Sequence, residues 1–478
     1  MKPLFGVDTF TSKIVQNLAF LDDYTLPYHV QHHVESIEVA GGGSGSPMSN
    51  ESEEPHIQGQ ALKLSNAPLN TTHVDCFKYV TPECLRLLYN ISQYTHSASV
   101  PNASFGIYQP AWETWLAPDL DSFFTQFQPE LVSQRPFMLS IDGGYLQTDV
   151  KYTPFNLEAN LDFQYAISLV HPLPVGDKYY MGNLNTMLAG FDKTYYCGTV
   201  NAPFVISISY TKAEAALPRD YVERQCLEFL KLGLQGTTVL VASGDRGAAA
   251  NNGSWIDPST GSLNSTKGFF SPNFPASCPW VTTVGGTQLE STDKTWEPNA
   301  TSPKQTTFYQ TFTDNVTVSS SGGGFSNVVK TPFYQMSHTQ TYMDSSSASP
   351  HLANLSSAGY FNRQGRAYPD LSALSNNYLV SIYEKLHNVK GTSAPTPVIA
   401  SMIALINAAR QETGKGPVGF INPALYYFGD GAMSDIVDRH NEGCGVSPAY
   451  PATAGWDPAT GLGTPDFTKL LKLFMELP

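Results

Sequence analysis

From about residue 70 the chain alternates short apolar runs with longer amphipathic ones. Residues 202–210, APFVISISY, read as a strand rich in β-branched residues. Residues 218–236, PRDYVERQCLEFLKLGLQG, place Val222, Cys226, Phe229 and Leu230 on one helical face, with Pro218 near the start and Gly233 and Gly236 near the end. TTVLVASGD at 237–245 and PWVTTVGGT at 279–287 are two further strands ending in turns. Strand, helix, strand in this order predicts right-handed crossovers and a mainly parallel sheet flanked by helices, an α/β class. Working groups in such sheets gather beyond the carboxyl ends of the strands. Ser-Gly-Asp after VLVA and Gly-Thr-Ser after LHNV both fall at such ends.

Elsewhere the pattern is weaker. Residues 289–360 are rich in Ser, Thr and Asn and read as surface loops and irregular strands. Residues 1–40 suggest a hairpin and a short helix, too little for an independent domain. Residues 41–69 open with AGGGSGSPMSNESEEP across their boundary, a composition that cannot offset the entropy of folding, and read as a flexible linker. This leaves 70–478 as the main domain.

Charge narrows the partners. With 41 acidic and 27 basic residues, none of the latter clustered, nucleic acid is an unsuitable ligand. Only 14% of residues are charged, against roughly 25% in a typical soluble domain, so self-repulsion in acid is limited. Nine N-x-[ST] triplets, at Asn50, Asn70, Asn90, Asn102, Asn252, Asn264, Asn299, Asn315 and Asn354, favour passage through the secretory pathway, although MKPLFGVDTF lacks a signal peptide's apolar core. No run of about 18 apolar residues predicts a membrane span. Six cysteines, without C-x-x-C spacing, allow three disulfides in any of fifteen pairings.

The candidate chemistry lies in three places. In FNLEANLDFQYA at 155–166, Glu158 and Asp162 stand at i, i+4, on one face of a helix that Leu157, Leu161, Phe163 and Tyr165 would seat on a core. Like charges so close resist double ionisation, which makes one carboxylate a usable general base in acid, where histidine is already protonated. A solvated helix face explains the same spacing. Asp245, in Ser-Gly-Asp-x-Gly, is either a plain turn residue or, when protonated, a donor to a developing oxyanion. Ser393 is either a nucleophile or the N-cap of the apolar helix that follows it. None of the eleven histidines stands in an H-G-[ST]-H setting.

Taken together, E-x-x-x-D followed by Q-Y (Glu158, Asp162, Gln164, Tyr165), SGDRG at 243–247, SSGGGFSNVV at 320–329, GRAYPDLSA at 365–373, GTSAPTPVIA at 391–400, SDIVDRHNEGCG and GWDPATGLGTPDF resemble, in order, the sedolisins. These are serine-carboxyl peptidases of subtilisin-like fold, and the likeness covers about 70–478. The resemblance implies that Ser393 is the nucleophile, Glu158 its base, Asp162 the partner of that base and Asp245 the oxyanion donor. It implies one structural calcium ion held by Asp435 and Asp457 with the main-chain carbonyls of Ile436, Thr453 and Gly455. Ser209 and Tyr210 would lie along the substrate backbone, and Gly322, Gly323 and Gly324 would approach it. Thr211 and Lys390 depart from the glycine and the small residue usual at those positions.

By the same likeness residues 1–40 are the remnant of a propeptide that inhibits the enzyme and aids its folding. The expected activity is that of a secreted, monomeric, acid-active peptidase acting on peptides or proteins. Tripeptide release from free N-termini, as in fungal tripeptidyl-peptidases, comes first; an endopeptidase and a non-catalytic peptide-binding relative are the alternatives. The disulfide pairing set beside this reading is Cys76–Cys84, Cys197–Cys226 and Cys278–Cys444.

Overall fold

The computed structural model describes residues 60–61, 75–91, 104–110, 113–141, 144–149, 151–179, 184–192, 200–250, 255–257, 260, 263–264, 268–290, 303–311 and 318–478. The expected propeptide remnant lies outside the described residues, as does the 41–69 segment apart from Gln60–Ala61. Those two residues form a strand against Lys385–Val389, pairing Gln60 with Asn388 and Ala61 with His387. Ladder hydrogen bonds to an exposed edge need no apolar side chains, which is why composition gave no sign of this pairing.

The predicted alternation produces one central sheet of eight strands. These are β1 (Phe105–Gln109), β2 (Phe137–Met138), β3 (Val175–Tyr179), β4 (Val205–Ile208), β5 (Thr238–Ala242), β6 (Thr282–Leu289), β7 (Gln305–Thr307) and β8 (Leu371–Leu374). Their order is β7-β6-β5-β4-β1-β3-β2, with β8 joined to β6. All pairings are parallel except β6 with β7. β4 and β5 are buried throughout, as their nearly unbroken apolar runs require in a sheet covered on both faces. Alternate residues divide between two cores: Val205 and Leu240 join one, Ile206, Ile208, Val239 and Val241 the other.

Five helices matter most for the site: α1 (Pro82–Tyr89), α2 (Ala117–Phe127), α3 (Thr153–Val170), α4 (Arg219–Leu234) and α5 (Pro395–Glu412). Proline in the first turn of α3 and of α5 fits where no helical acceptor waits for its missing N–H. α3 and α5 pack on each other, and α5 also covers β4, β5, β6 and β8. α4 lies in the other core through Val222, Cys226 and Phe229, the face read from its periodicity; Leu230 is only half-buried.

The 289–360 region departs from expectation. Besides strands it holds the helices Met336–Asp344 and Ser349–Ser357, which bury Tyr342, Met343, Leu352 and Leu355. Their Ser- and Thr-rich outer faces masked short amphipathic repeats. In the GRAYPDLSA stretch, Arg366 and Asp370 form a wholly buried ion pair of 2.6 Å. Asp370 also accepts from the Thr283 amide and the Tyr426 hydroxyl, so this motif is a structural anchor.

Cys76–Cys84 forms as expected, but Cys226 pairs with Cys278. The α4 face that buries Cys226 meets the segment entering β6, and this adjacency is invisible in linear spacing. The pairings Cys197–Cys226 and Cys278–Cys444 are thereby excluded, and Cys197 lies outside the described residues.

Candidate active site

α3 is apolar on most sides, yet Asn156, Glu158, Asn160, Asp162 and Gln164 are all fully buried within it. Burial of this kind requires partners from surrounding elements. Asn156 donates to the Thr114 carbonyl, Asn160 accepts from the Leu116 amide, and Gln164 exchanges two bonds with the Ser381 backbone. These contacts fix the rotation of the helix. A solvated acidic face is thus ruled out, since Glu158 and Asp162 are both 0% exposed.

Asp162 accepts hydrogen bonds on both oxygens, from Gln109 Nε2 at 3.1 Å and from Ser209 Oγ at 3.3 Å. The Gln109 carbonyl oxygen in turn accepts from the Tyr210 hydroxyl at 2.7 Å. Glu158 differs: neither of its oxygens has a hydrogen-bond partner of ordinary geometry. Burial holds its carboxyl well above the usual range, reinforced by the charges of Asp162 and Glu113, while the nearby Ser393 and Ser209 hydroxyls pull the other way. The pair is therefore asymmetric. Two donors stabilise charge on Asp162, and Glu158 is the more basic partner.

Ser393 sits between the end of the Lys385–Val389 strand and α5, almost completely buried, and its Oγ donates to the Ser209 carbonyl at 3.3 Å. The helix shows no side-chain cap at its start, so the N-cap reading of Ser393 fails. Ser209 and Tyr210 line the same centre, next to the buried Thr211.

Asp245 follows β5 in a turn that Gly244 and Gly247 make possible with φ of +100° and +59°. Its Oδ1 accepts from the Thr392 amide at 2.6 Å, and the Thr392 hydroxyl accepts from the Gly244 amide at 3.0 Å, tying the turn to the serine loop. A Cβ on Gly391 would stand 2.6 Å from Asp245 Oδ2, so the residue two before Ser393 must be small. Burial raises the Asp245 pKa to about 6, opposed by Thr392 and by the charges of Arg246 and Lys390. Lys390 is half-buried, and its charge acts on Asp245. At lower pH the Asp245 carboxyl is a neutral donor.

Gly322, Gly323 and Gly324 are buried. The Gly322 amide donates to the Gly244 carbonyl at 2.7 Å, and Cβ atoms on Gly322 and Gly323 would overlap the Ser243 and Pro458 carbonyls. Gly322 and Gly323 buttress the Asp245 turn. Their smallness serves backbone packing.

Two residues near the centre escaped the sequence reading. Gln109 ends β1, and Glu113 belongs to a segment that the Thr114 amide bonds to the Phe155 carbonyl, in the first turn of α3. The strand-end rule applied to FGIYQ would have flagged Gln109; nothing in the linear sequence marks Glu113.

At the other end of the chain, Asp457 is buried and accepts from the amides of Thr453, Ala459 and Thr460. Asp435 accepts from the Gly455 amide at 2.8 Å, its charge is felt by Asp457, and the buried Thr453 hydroxyl has no hydrogen-bond partner. Among the described residues no cluster of three or more His, Cys, Asp or Glu suited to a metal occurs. Any cation here would draw on two carboxylates and carbonyl oxygens, a hard donor set that fits calcium.

A Subtilase family model matches residues 192–416. Tripeptidyl-peptidase SED1 of Arthroderma otae is 40% identical over 84% of this chain and 65% of its own length. Aorsin of Aspergillus oryzae is 35% identical over 96% of this chain and 76% of its own length. Tripeptidyl-peptidase sed1 of Aspergillus fumigatus is 35% identical over 95% of this chain and 76% of its own length. Among solved structures, Pseudomonas sedolisin complexed with two molecules of pseudo-iodotyrostatin superposes with a TM-score of 0.60 at 21% identity, covering 84% of this chain and 99% of that one.

Proposed function

As the chain belongs to the sedolisin family of serine-carboxyl peptidases, we propose that it cleaves peptide bonds in acid and releases tripeptides from free N-termini. The observation that carries this reading is the fully buried Glu158 carboxyl, raised in pKa, beside the Ser393 hydroxyl. Ser393 Oγ attacks the scissile carbonyl carbon while its proton passes to the ionised form of Glu158. Protonated Asp245 donates to the oxyanion that forms. Collapse of the tetrahedral intermediate breaks the C–N bond, and Glu158 returns the proton to the departing amine. Water then repeats the cycle on the acyl-enzyme, and Ser393 is regenerated. Asp162, held by Gln109 and Ser209, keeps Glu158 oriented and basic.

Tripeptide release rests on the names of SED1 and its Aspergillus fumigatus counterpart. A peptide with a free N-terminus should yield its first three residues, read by mass spectrometry, and its N-acetylated form should be cut at least tenfold more slowly. Internal cleavage of both at equal rate would replace the exopeptidase reading by an endopeptidase one.

The proposal extends to a structural calcium ion held by Asp435 and Asp457 with the carbonyls of Ile436, Thr453 and Gly455. Calcium there would neutralise two neighbouring carboxylates and brace the chain end. Chelation should lower the unfolding temperature by several degrees, calcium should restore it, and Asp435→Asn should blunt the response. A chelator-insensitive transition would count against the site. Secretion and glycosylation belong to the same reading; Asn90 and Asn354 are exposed acceptors, and no helix among the described residues is long and apolar enough to cross a membrane.

A further inference from the structure

The catalytic steps leave the buried carboxylate of Glu214 unused. Glu214 is 1% exposed and follows Lys212–Ala213, the continuation of the Ser209–Thr211 segment beside the nucleophile. That short strand pairs with Asn273–Phe274, and the Glu214 amide donates to the Pro272 carbonyl at 2.8 Å. Its carboxylate reaches across to a different part of the chain. Oε1 accepts from Ser326 Oγ at 2.6 Å and Oε2 from the Asn327 amide at 2.8 Å. Ser326 Oγ also accepts from the Val328 and Val329 amides, so its own proton is committed to Glu214. Asn327 is anchored through Nδ2 to the Phe270 carbonyl.

Ser326 and Asn327 belong to the strand Gly324–Lys330, which continues from the glycine run. Gly322 and Gly323 in turn donate to the carbonyls of Gly244 and Gly247, on either side of Asp245. One carboxylate therefore closes a chain of hydrogen bonds between the segment beside Ser393 and the one behind the Asp245 turn. A carboxylate suits this place because both of its oxygens face donors. An amide would offer one acceptor and set its NH2 group against the other donor.

We propose that Glu214 is a positioning residue for substrate binding: it touches no substrate, but holds the Ser209–Thr211 segment at the spacing from the Asp245 turn that an extended peptide requires. This rests on the peptidase reading above. The test is Glu214→Gln, compared with the parent in KM, in kcat, and in inhibition by two aldehydes that both reach Ser393. One is a tripeptide aldehyde lying along that segment; the other is a single-residue aldehyde that does not. Expected are an approximately tenfold higher KM, an approximately tenfold weaker tripeptide aldehyde, and kcat and single-residue inhibition within about twofold of the parent.

If Glu214→Gln fails to fold, Ser326→Ala keeps the carboxylate while removing one donor and should give the same split at about threefold. Equal weakening of both aldehydes, or no change in either, overturns the positioning role while leaving the peptidase reading intact. A parent that hydrolyses no peptide and binds neither aldehyde overturns both.

Discussion

Glu158→Gln should cut kcat for peptide hydrolysis by about 10³-fold with the fold intact, since removing a positioned general base forfeits effects of that order. The substitution is nearly isosteric and removes an acid rather than a packing group. Its oxygen and nitrogen would occupy the space of two carboxyl oxygens that make no hydrogen bond of ordinary geometry. Stability provides an independent readout. Burial, followed by the charges of Asp162 and Glu113, raises the folded-state pKa of Glu158 above its unfolded value. Its favourable contribution is then fully present below the unfolded pKa and lost as pH rises through the folded one. The variant should therefore gain on the parent in unfolding temperature as pH rises above the ordinary carboxylate value of 4.5, with no gain at the acid end. Parental turnover in Glu158→Gln would remove this residue as the base. An unchanged difference in stability across that range would remove the burial argument.

Asp245 carries the second large effect. Asp245→Ala should lower kcat/KM by roughly 10²- to 10³-fold, the cost of deleting one donor to an oxyanion. Asp245→Asn is the more informative change. The Asn oxygen can still accept from the Thr392 amide, as Oδ1 does at 2.6 Å, and its NH2 would stand where Oδ2 packs against Gly391. Parental Asp245 donates only while protonated, and burial sets that pKa at about 6. Its contribution is thus present in acid and fades as pH rises through that value. The amide donates at every pH, so the Asn variant should lose this alkaline limb even where its maximal rate is lower. A pH–rate profile for kcat/KM checks this, and an identical fall near pH 6 in parent and variant would reassign the limb to another group. Lys390→Met extends the reasoning: Lys390 and Arg246 pull the Asp245 pKa down, so removing one charge should move the limb to higher pH.

Local pattern determined a good deal of this protein. The continuous apolar runs at β4 and β5, bounded by turn residues, had to be buried parallel strands, and the periodic face of 218–236 had to be a helix lying on them. Glu158 and Asp162 had to share a helix face if that stretch was helical. The ordered motifs then pointed to Ser393, Asp245 and the carboxyl pair, and the structure brings these four together. Sequence spacing could not say that Glu158 and Asp162 are enclosed, because burial of α3 depends on Thr114, Leu116 and Ser381, tens to hundreds of residues away.

Long-range packing decided the remainder. The partner of Cys226 is the cysteine its helix face happens to meet, and fifteen pairings look alike from spacing. Gly322 and Gly323 owe their size to carbonyls of Ser243 and Pro458, and Glu214 finds two donors more than a hundred positions downstream. Periodicity reports which side of an element faces inward, but it carries no information about what waits there, and both the basicity of Glu158 and the protonation of Asp245 come from those surroundings.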